Sequence, residues 1–334
     1  HPDTKPFRLQ PFGLRQQLKQ WLPNRKETVA LGIMLFLGLY TPVQDWLMEQ
    51  RVLMQALYRQ FTGQVSATAS PPVLLVQIDE NSIKKARISH PVPINRNYLA
   101  QLVDKLNSLD AKVVGIDYLL DRYQDANNAD IKLNNSLQKA VKQNQTWFIF
   151  AARKKHGKWD SVLPEIAKPS WSLSGDIWVP FWNVKPLPWL NTSSSPLPFS
   201  YNLATAHRLT QQQQSNSEIE SLALPQPSLQ REQDLQTQVK AYINKVSPQQ
   251  RYITERMRLQ IITALSYKFN HRWLQPILDF SIPPNQIYET VPAWQLLEES
   301  DTFLQSRSLK NLQQSIIIIA PGGYDEAGIG ANGE

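Results

Sequence analysis

Between Pro72 and Asp121 the chain encodes a strand, a helix and a second strand in close succession, which leaves few folds open to it. Val73-Leu74-Leu75-Val76-Gln77-Ile78 is a short apolar run rich in branched residues and preceded by two prolines, the pattern of a buried strand. It stops at Asp79-Glu80-Asn81-Ser82, where polar groups at a strand end point to solvent or to a site. Beyond a turn marked by Pro91 and Pro93, Asn95 is placed to cap a helix beginning near Arg96. Leu99, Leu102, Val103, Leu106 and Leu109 recur at three or four residues and give that helix one apolar face. Lys112-Val113-Val114-Gly115-Ile116 is the second buried strand and ends at Asp117. The unit is βαβ, so a covered, mostly parallel sheet is expected.

These residues also resemble a known family. Ile78-Asp79-Glu80-Asn81-Ser82, Pro93-Ile94-Asn95-Arg96, Leu99 through Leu106 and Val113-Val114-Gly115-Ile116-Asp117 are similar to the opening of the type-two CHASE domain. That domain is an extracytoplasmic sensor module of bacterial membrane receptors. A second block resembles its closing strand region: Asp279-Phe280-Ser281, Ala293-Trp294-Gln295-Leu296-Leu297, then Leu312 and Ser315 through Ala320. The resemblance implies a periplasmic α/β domain behind a membrane span, followed by further spans and a cytoplasmic output domain such as a kinase or nucleotide cyclase. No output motif occurs in these residues.

The charge distribution bears on the membrane. The net charge is +7, and more than half of it lies in residues 1–27, where Lys5, Arg8, Arg15, Lys19, Arg25 and Lys26 face only Asp3 and Glu27. Val29 to Tyr40 is uncharged and strongly apolar, and the uncharged run continues through Gln44, with Trp21 and Trp46 on either side. That is short of the roughly 20 residues that cross a bilayer comfortably, yet the aromatic and basic flanks suit one. The positive-inside rule puts a basic tail, 1–27, in the cytoplasm, a transmembrane helix over 28–47, and the rest outside the inner membrane. A buried core helix is the competing reading. Trp46, Leu53, Leu57 and Phe61 continue at helical spacing, so 48–70 reads as a stalk helix and linker. Residues 71–334 form the extracytoplasmic domain.

Within that domain, 131–141 reads as a helix with Leu133, Leu137, Ala140 and Val141 inward, and 146–151 as a third strand. The expected class is therefore α/β, a mostly parallel sheet with helices on both faces. Residues 153–235 differ. Five of the ten tryptophans (Trp159, Trp171, Trp178, Trp182, Trp189) crowd there among prolines and serines, which reads as an insertion with short strands. Tyr201–Leu209 within it reads as a short helix. Ser247-Pro248-Gln249-Gln250 has the form of a helix start, continuing to about Phe269, and 315–320 is a final buried strand.

Asp79 and Asp117 end strands expected to be parallel neighbours, so both carboxylates belong at the carboxyl edge of the sheet, where open α/β sheets bind ligands. Arg96, at a helix start on the same edge, is placed to meet Asp79. One reading is a small-ligand or anion site of Asp79, Asn81, Ser82, Arg96 and Asp117. The other is a structural network in which Arg96 pairs a carboxylate and Asn81 or Ser82 closes a turn. The tryptophan cluster likewise reads as a ligand cage or as a small core.

Other chemistries are excluded or weak. There is no cysteine, hence no disulfide and no thiolate nucleophile or metal ligand. The histidines (His1, His90, His156, His207, His271) lack metal-ligand spacing. Gly328-Ile329-Gly330-Ala331-Asn332-Gly333 spells a dinucleotide fingerprint, but the preceding strand ends at Ala320 and no helix follows. The expectation that the resemblance implies is a non-catalytic sensor domain, and the residues suggest no cofactor or metal. Its partners are the bilayer, a small ligand or periplasmic partner and a second copy of the chain, with no role for nucleic acid. A structural subunit of a membrane complex is the alternative.

Overall fold

The computed structural model describes residues 24–62, 73–89, 92–124, 128–178, 184–186, 195–214, 224–249, 277–279, 288–298, 312 and 314–322. The chain divides into two compact units, His1–Gln55 with Met257–Gln275, and Ala56–Arg256 with Pro276–Glu334.

The described part of the first unit is helical. Helix α1 spans Arg25–Leu39 and α2 spans Thr41–Thr62, the latter running on into the second unit. The single helix expected over 28–47 is therefore two, meeting at Tyr40. Pro42 explains the break: it has no N–H to offer the carbonyl four residues back, and its ring crowds that carbonyl. Tyr40 N–H still bonds Phe36 O at 3.1 Å, and Tyr40 O accepts from Val43 and Gln44, each at 3.0 Å. From Val29 onward α1 is apolar on every side, and Val29, Ile33 and Phe36 are each more than half exposed. Among the described residues no helix is long and apolar enough to cross a membrane by itself.

The second unit is the α/β domain. Its strands are β1 (Val73–Asp79), β2 (Val113–Ile116), β3 (Trp147–Lys155), β4 (Lys158–Asp160), β5 (Ser172–Asp176), β7 (Leu197–Pro198), β9 (Tyr288–Pro292) and β10 (Ile316–Gly322). They form one sheet in the order β7-β5-β3-β2-β10-β1-β9, parallel throughout except that β4 turns back along β3. A separate antiparallel pair joins β6 (Val184–Pro186) to β8 (Ile277–Asp279).

One face carries the larger core. The helices α3 (Glu80–Lys85), α4 (Arg96–Ser108), α5 (Ala129–Asn144) and α8 (Ala293–Glu298) lie in the chain between strands that this core covers. Leu99, Leu102, Val103 and Leu106 of α4 are inaccessible and pack in one cluster with Leu74, Val76 and Ile78 of β1. The periodicity that marked this face in the sequence is the one that packs. Asn95 caps α4 as expected, its side chain accepting Tyr98 N–H at 3.2 Å. The opposite face is covered by α6 (Phe199–Gln214) and α7 (Leu235–Gln249), which bury Leu203, Leu209, Leu235 and Val239 against Trp147, Ile149 and Leu173.

The stretch 153–235, expected as an insertion, is woven into this architecture. It supplies β5 and β7 to the central sheet and all of α6 to its second face. Trp171 is a core residue, Trp178 is exposed, and Trp182 and Trp189 lie outside the described residues. Ser247 does not begin a helix, because α7 runs through it to Gln249; the expected continuation to 269 lies outside the described residues. So does the glycine-rich stretch 328–333.

Candidate functional site

The sheet order corrects one expectation at the carboxyl edge. β10 is inserted between β1 and β2, so Asp79 and Asp117 do not end neighbouring strands. They stand two strand spacings apart, roughly 10 Å in the pairing direction. Asp79 is in register with Gly322 and Ile116 with Ile319, which staggers the two carboxylates along the strands as well. A side chain at Gly322 would fall 3.0 Å from the Asp79 backbone, so the end of β10 closes tightly on β1.

Asp79 is occupied by local structure. It is the N-cap of α3, its Oδ1 accepting both the N–H and the Oγ–H of Ser82 at 2.7 Å. Ser82 is inaccessible, and its Oγ accepts the Trp294 N–H at 3.2 Å, satisfying a donor in the first turn of α8. Lys85 Nζ lies 3.3 Å from the centroid of the Trp294 ring and 2.6 Å from Glu298. Burial pushes the Tyr98 hydroxyl above its ordinary range; the nearby Ser82 hydroxyl opposes that shift and the Asp79 and Glu298 charges add to it. Asn81 is exposed and stands apart.

Arg96 belongs to a different network. Its side chain is 0% exposed, with Nη1 donating to Ile94 O at 3.1 Å and Nη2 to Arg122 O at 3.4 Å. Its Nε lies 3.4 Å from Asp130 Oδ1 in the first turn of α5. Gln124 completes the arrangement, accepting Arg96 N–H at 2.9 Å and giving its own N–H to Asp130 Oδ2 at 2.7 Å. The pairing expected with Asp79 is made with Asp130 instead. A guanidinium buried this deeply requires a carboxylate and carbonyls around it, and Asp130 at the start of α5, with the Ile94 and Arg122 carbonyls, provides them.

Asp117 is the isolated member. It is half-buried, its N–H bonds Ile319 O at 2.9 Å, and its carboxylate has no partner among the described residues. Burial raises its pKa above the ordinary carboxylate range. The five expected residues therefore fall into four places, and the structure brings only Asp79 and Ser82 together.

A cavity of about 380 Å³ lies elsewhere, beside β5. Asp121 follows β2, Trp159 and Asp160 lie on β4, and Asp234 precedes α7. Ser172 and Ser174 reach it from β5, and Val162, Leu163, Pro164, Ala167 and Pro169 form its apolar wall. Among the described residues, no lysine, arginine or histidine lines it. Asp234 Oδ1 accepts Gln236 N–H at 2.7 Å and Thr237 N–H at 3.3 Å, which fixes it at the start of α7. Residues so far apart in the chain carry no common spacing; Trp159 stood out only as one tryptophan among several. Among the described residues, no group of three histidine or acidic side chains is placed to hold a metal ion.

Comparison with known families identifies the chain. The model of the CHASE2 domain matches residues 28–328, nearly the whole sequence, and the chain belongs to that family of extracellular sensor domains of signalling proteins. No curated protein and no solved structure matches it significantly.

Proposed function

We propose that this CHASE2 domain is the periplasmic sensing part of a bacterial membrane receptor, held in the inner membrane by α1 and the start of α2. The observation that carries the reading is that the family match begins at Thr28, inside α1, and so takes in the apolar helix together with the α/β domain. A helix apolar on every side needs an apolar surrounding, and exposed Ile33 and Phe36 show that this chain leaves part of it uncovered. The uncharged run from Thr28 to Gln44 is 17 residues, about 25 Å as helix, at the lower limit of a span. The basic residues of 1–27 favour a cytoplasmic N-terminus.

In this account a ligand that binds one state of the α/β domain more tightly biases α2, which joins the apolar segment to β1. The output lies in a partner or in further sequence, and the domain itself performs no catalysis. A second copy of the chain is the proposed partner, since Leu53, Leu57 and Phe61 share one exposed stripe of α2. A reporter that works only outside the cytoplasm, fused after Gln60, tests the topology. Activity there and silence when fused after Lys19 support it; activity only at Lys19 overturns it.

A further inference from the structure

We propose that the hairpin of β3 and β4 is a docking surface for a linear acidic polysaccharide, held by Arg153, Lys155 and Lys158 with Trp178 beside them. His156 and Gly157, at φ 48° and 79°, turn the chain between the two strands, as the paired left-handed residues of a tight hairpin do. That turn fixes the register: Lys155 is opposite Lys158, Lys154 opposite Trp159 and Arg153 opposite Asp160. Side chains alternate along a strand, so Arg153, Lys155 and Lys158 share one face and Lys154 lies on the other. Counted through β2 and β10, Arg153 is level with Gly322, the last residue of β10. The tip therefore stands past the carboxyl edge of the sheet.

Every residue from Arg153 to Lys158 is exposed. The side chains of Arg153, Lys154, Lys155 and Lys158 have no hydrogen-bond or ion-pair partner among the described residues. Asp160 and Asp176 are set back from the tip, the latter level with Ala152. Guarding a sheet edge calls for scattered charge. Two lysines directly opposed on one face destabilise a hairpin, and an anion laid across them removes the repulsion.

Trp178 supplies an independent observation. It is 58% exposed just past β5, where Ile177 N–H bonds Ala152 O and Trp178 N–H bonds Asp176 Oδ1, each at 3.0 Å. These bonds hold a large aromatic surface in water at the base of the hairpin, where a sugar ring can stack on it. A row of cations beside an aromatic face fits a chain of sugars bearing carboxylates. An acidic peptide offers the charges without the rings. Nucleic acid offers both, and the proposed place of the domain outside the cytoplasm favours the sugar polymer over it. That choice rests on the receptor reading, whereas binding of the polymer to the hairpin does not.

The test is calorimetric titration of the full chain in detergent with polygalacturonate, using dextran, polyglutamate and oligothymidylate as comparisons. Saturable binding of polygalacturonate, weakening as salt is raised, is expected, with weaker binding of polyglutamate and oligothymidylate and none of dextran. Lys155→Gln and Lys158→Gln should each weaken it about three-fold. Trp178→Ala should bring polygalacturonate down to the level of polyglutamate. Lys5→Gln/Lys19→Gln, in the basic tail, and Lys154→Gln, on the other face of the hairpin, should leave the preference for the sugar polymer unchanged. Matching thermal unfolding curves for the variants confirm that they fold. Absence of polygalacturonate binding, equal binding of dextran or polyglutamate, tighter binding of oligothymidylate, or full affinity in the Lys155→Gln/Lys158→Gln double variant overturns the proposal. None of these outcomes depends on membrane topology, so failure here leaves the receptor reading standing, and a failed topology test leaves the binding result standing.

Discussion

Ser82 donates its hydroxyl to Asp79 Oδ1 at 2.7 Å while accepting the backbone N–H of Trp294 at 3.2 Å. One inaccessible side chain thus joins the end of β1 to the start of α8, 212 residues away in the chain. The strand-end motif that suggested a ligand site is, in this geometry, a latch between elements.

Ser82→Ala therefore leaves the Trp294 N–H without its acceptor and Asp79 with one donor fewer. The expected loss is about 1–3 kcal/mol in urea unfolding. An unchanged midpoint and slope would show that the latch does not hold these elements.

Arg96→Met strands Asp130 beside a low-dielectric space, and breaking such a buried pair costs about 3–5 kcal/mol. Asp130→Leu, which strands Arg96, belongs in the same range. The double variant should cost less than the sum of the two. Strict additivity in the unfolding cycle would contradict the pairing.

Asp117 predicts a pH dependence. Burial raises its folded pKa, so the stability linked to its protonated form is complete below the ordinary carboxyl pKa and is lost as pH rises through the raised value. Asp117→Asn, which cannot ionise, should raise the melting temperature at pH 7 and lose that advantage toward pH 3. A variant less stable than the parent at pH 7 would reveal a partner for the carboxylate.

Gly175 tests how α6 seats on the sheet. A methyl group there would lie 2.5 Å from Phe199 Cα, a backbone atom that cannot swing aside. Gly175→Ala is expected to cost about 1–3 kcal/mol by overpacking. A neutral change would mean that α6 is free to move off β5.

These predictions also mark which features were legible in the sequence. The βαβ core was readable because its signals are local: the burial of β1 alternates strictly, and Asn95 caps α4 within its own turn. What depended on distant partners was not. Nothing near Val113 announces that Ile316–Gly322 will insert between β1 and β2, and no spacing links Arg96 to Asp130 across a loop. The β5 strand was hidden because Ser172, Ser174 and Gly175 interrupt any apolar run, their places being set by the cavity on one face and Phe199 on the other. Pro42 did carry the signal for the break at Tyr40, but the uncharged run across it reads as one segment when hydropathy alone is followed.

The central claim is that the α/β domain lies outside the cytoplasm. Because the chain contains no cysteine, a single introduced thiol reports its own location without background. Lys154 is exposed on β3, and Lys19 lies in the basic N-terminal tail. The measurement is labelling of Lys154→Cys and Lys19→Cys, in cells with a permeable outer membrane and an intact inner membrane, by a maleimide that cannot cross the inner one. The account predicts that Lys154→Cys is labelled and that Lys19→Cys reacts only after lysis. Labelling of Lys19→Cys with protection of Lys154→Cys would contradict it.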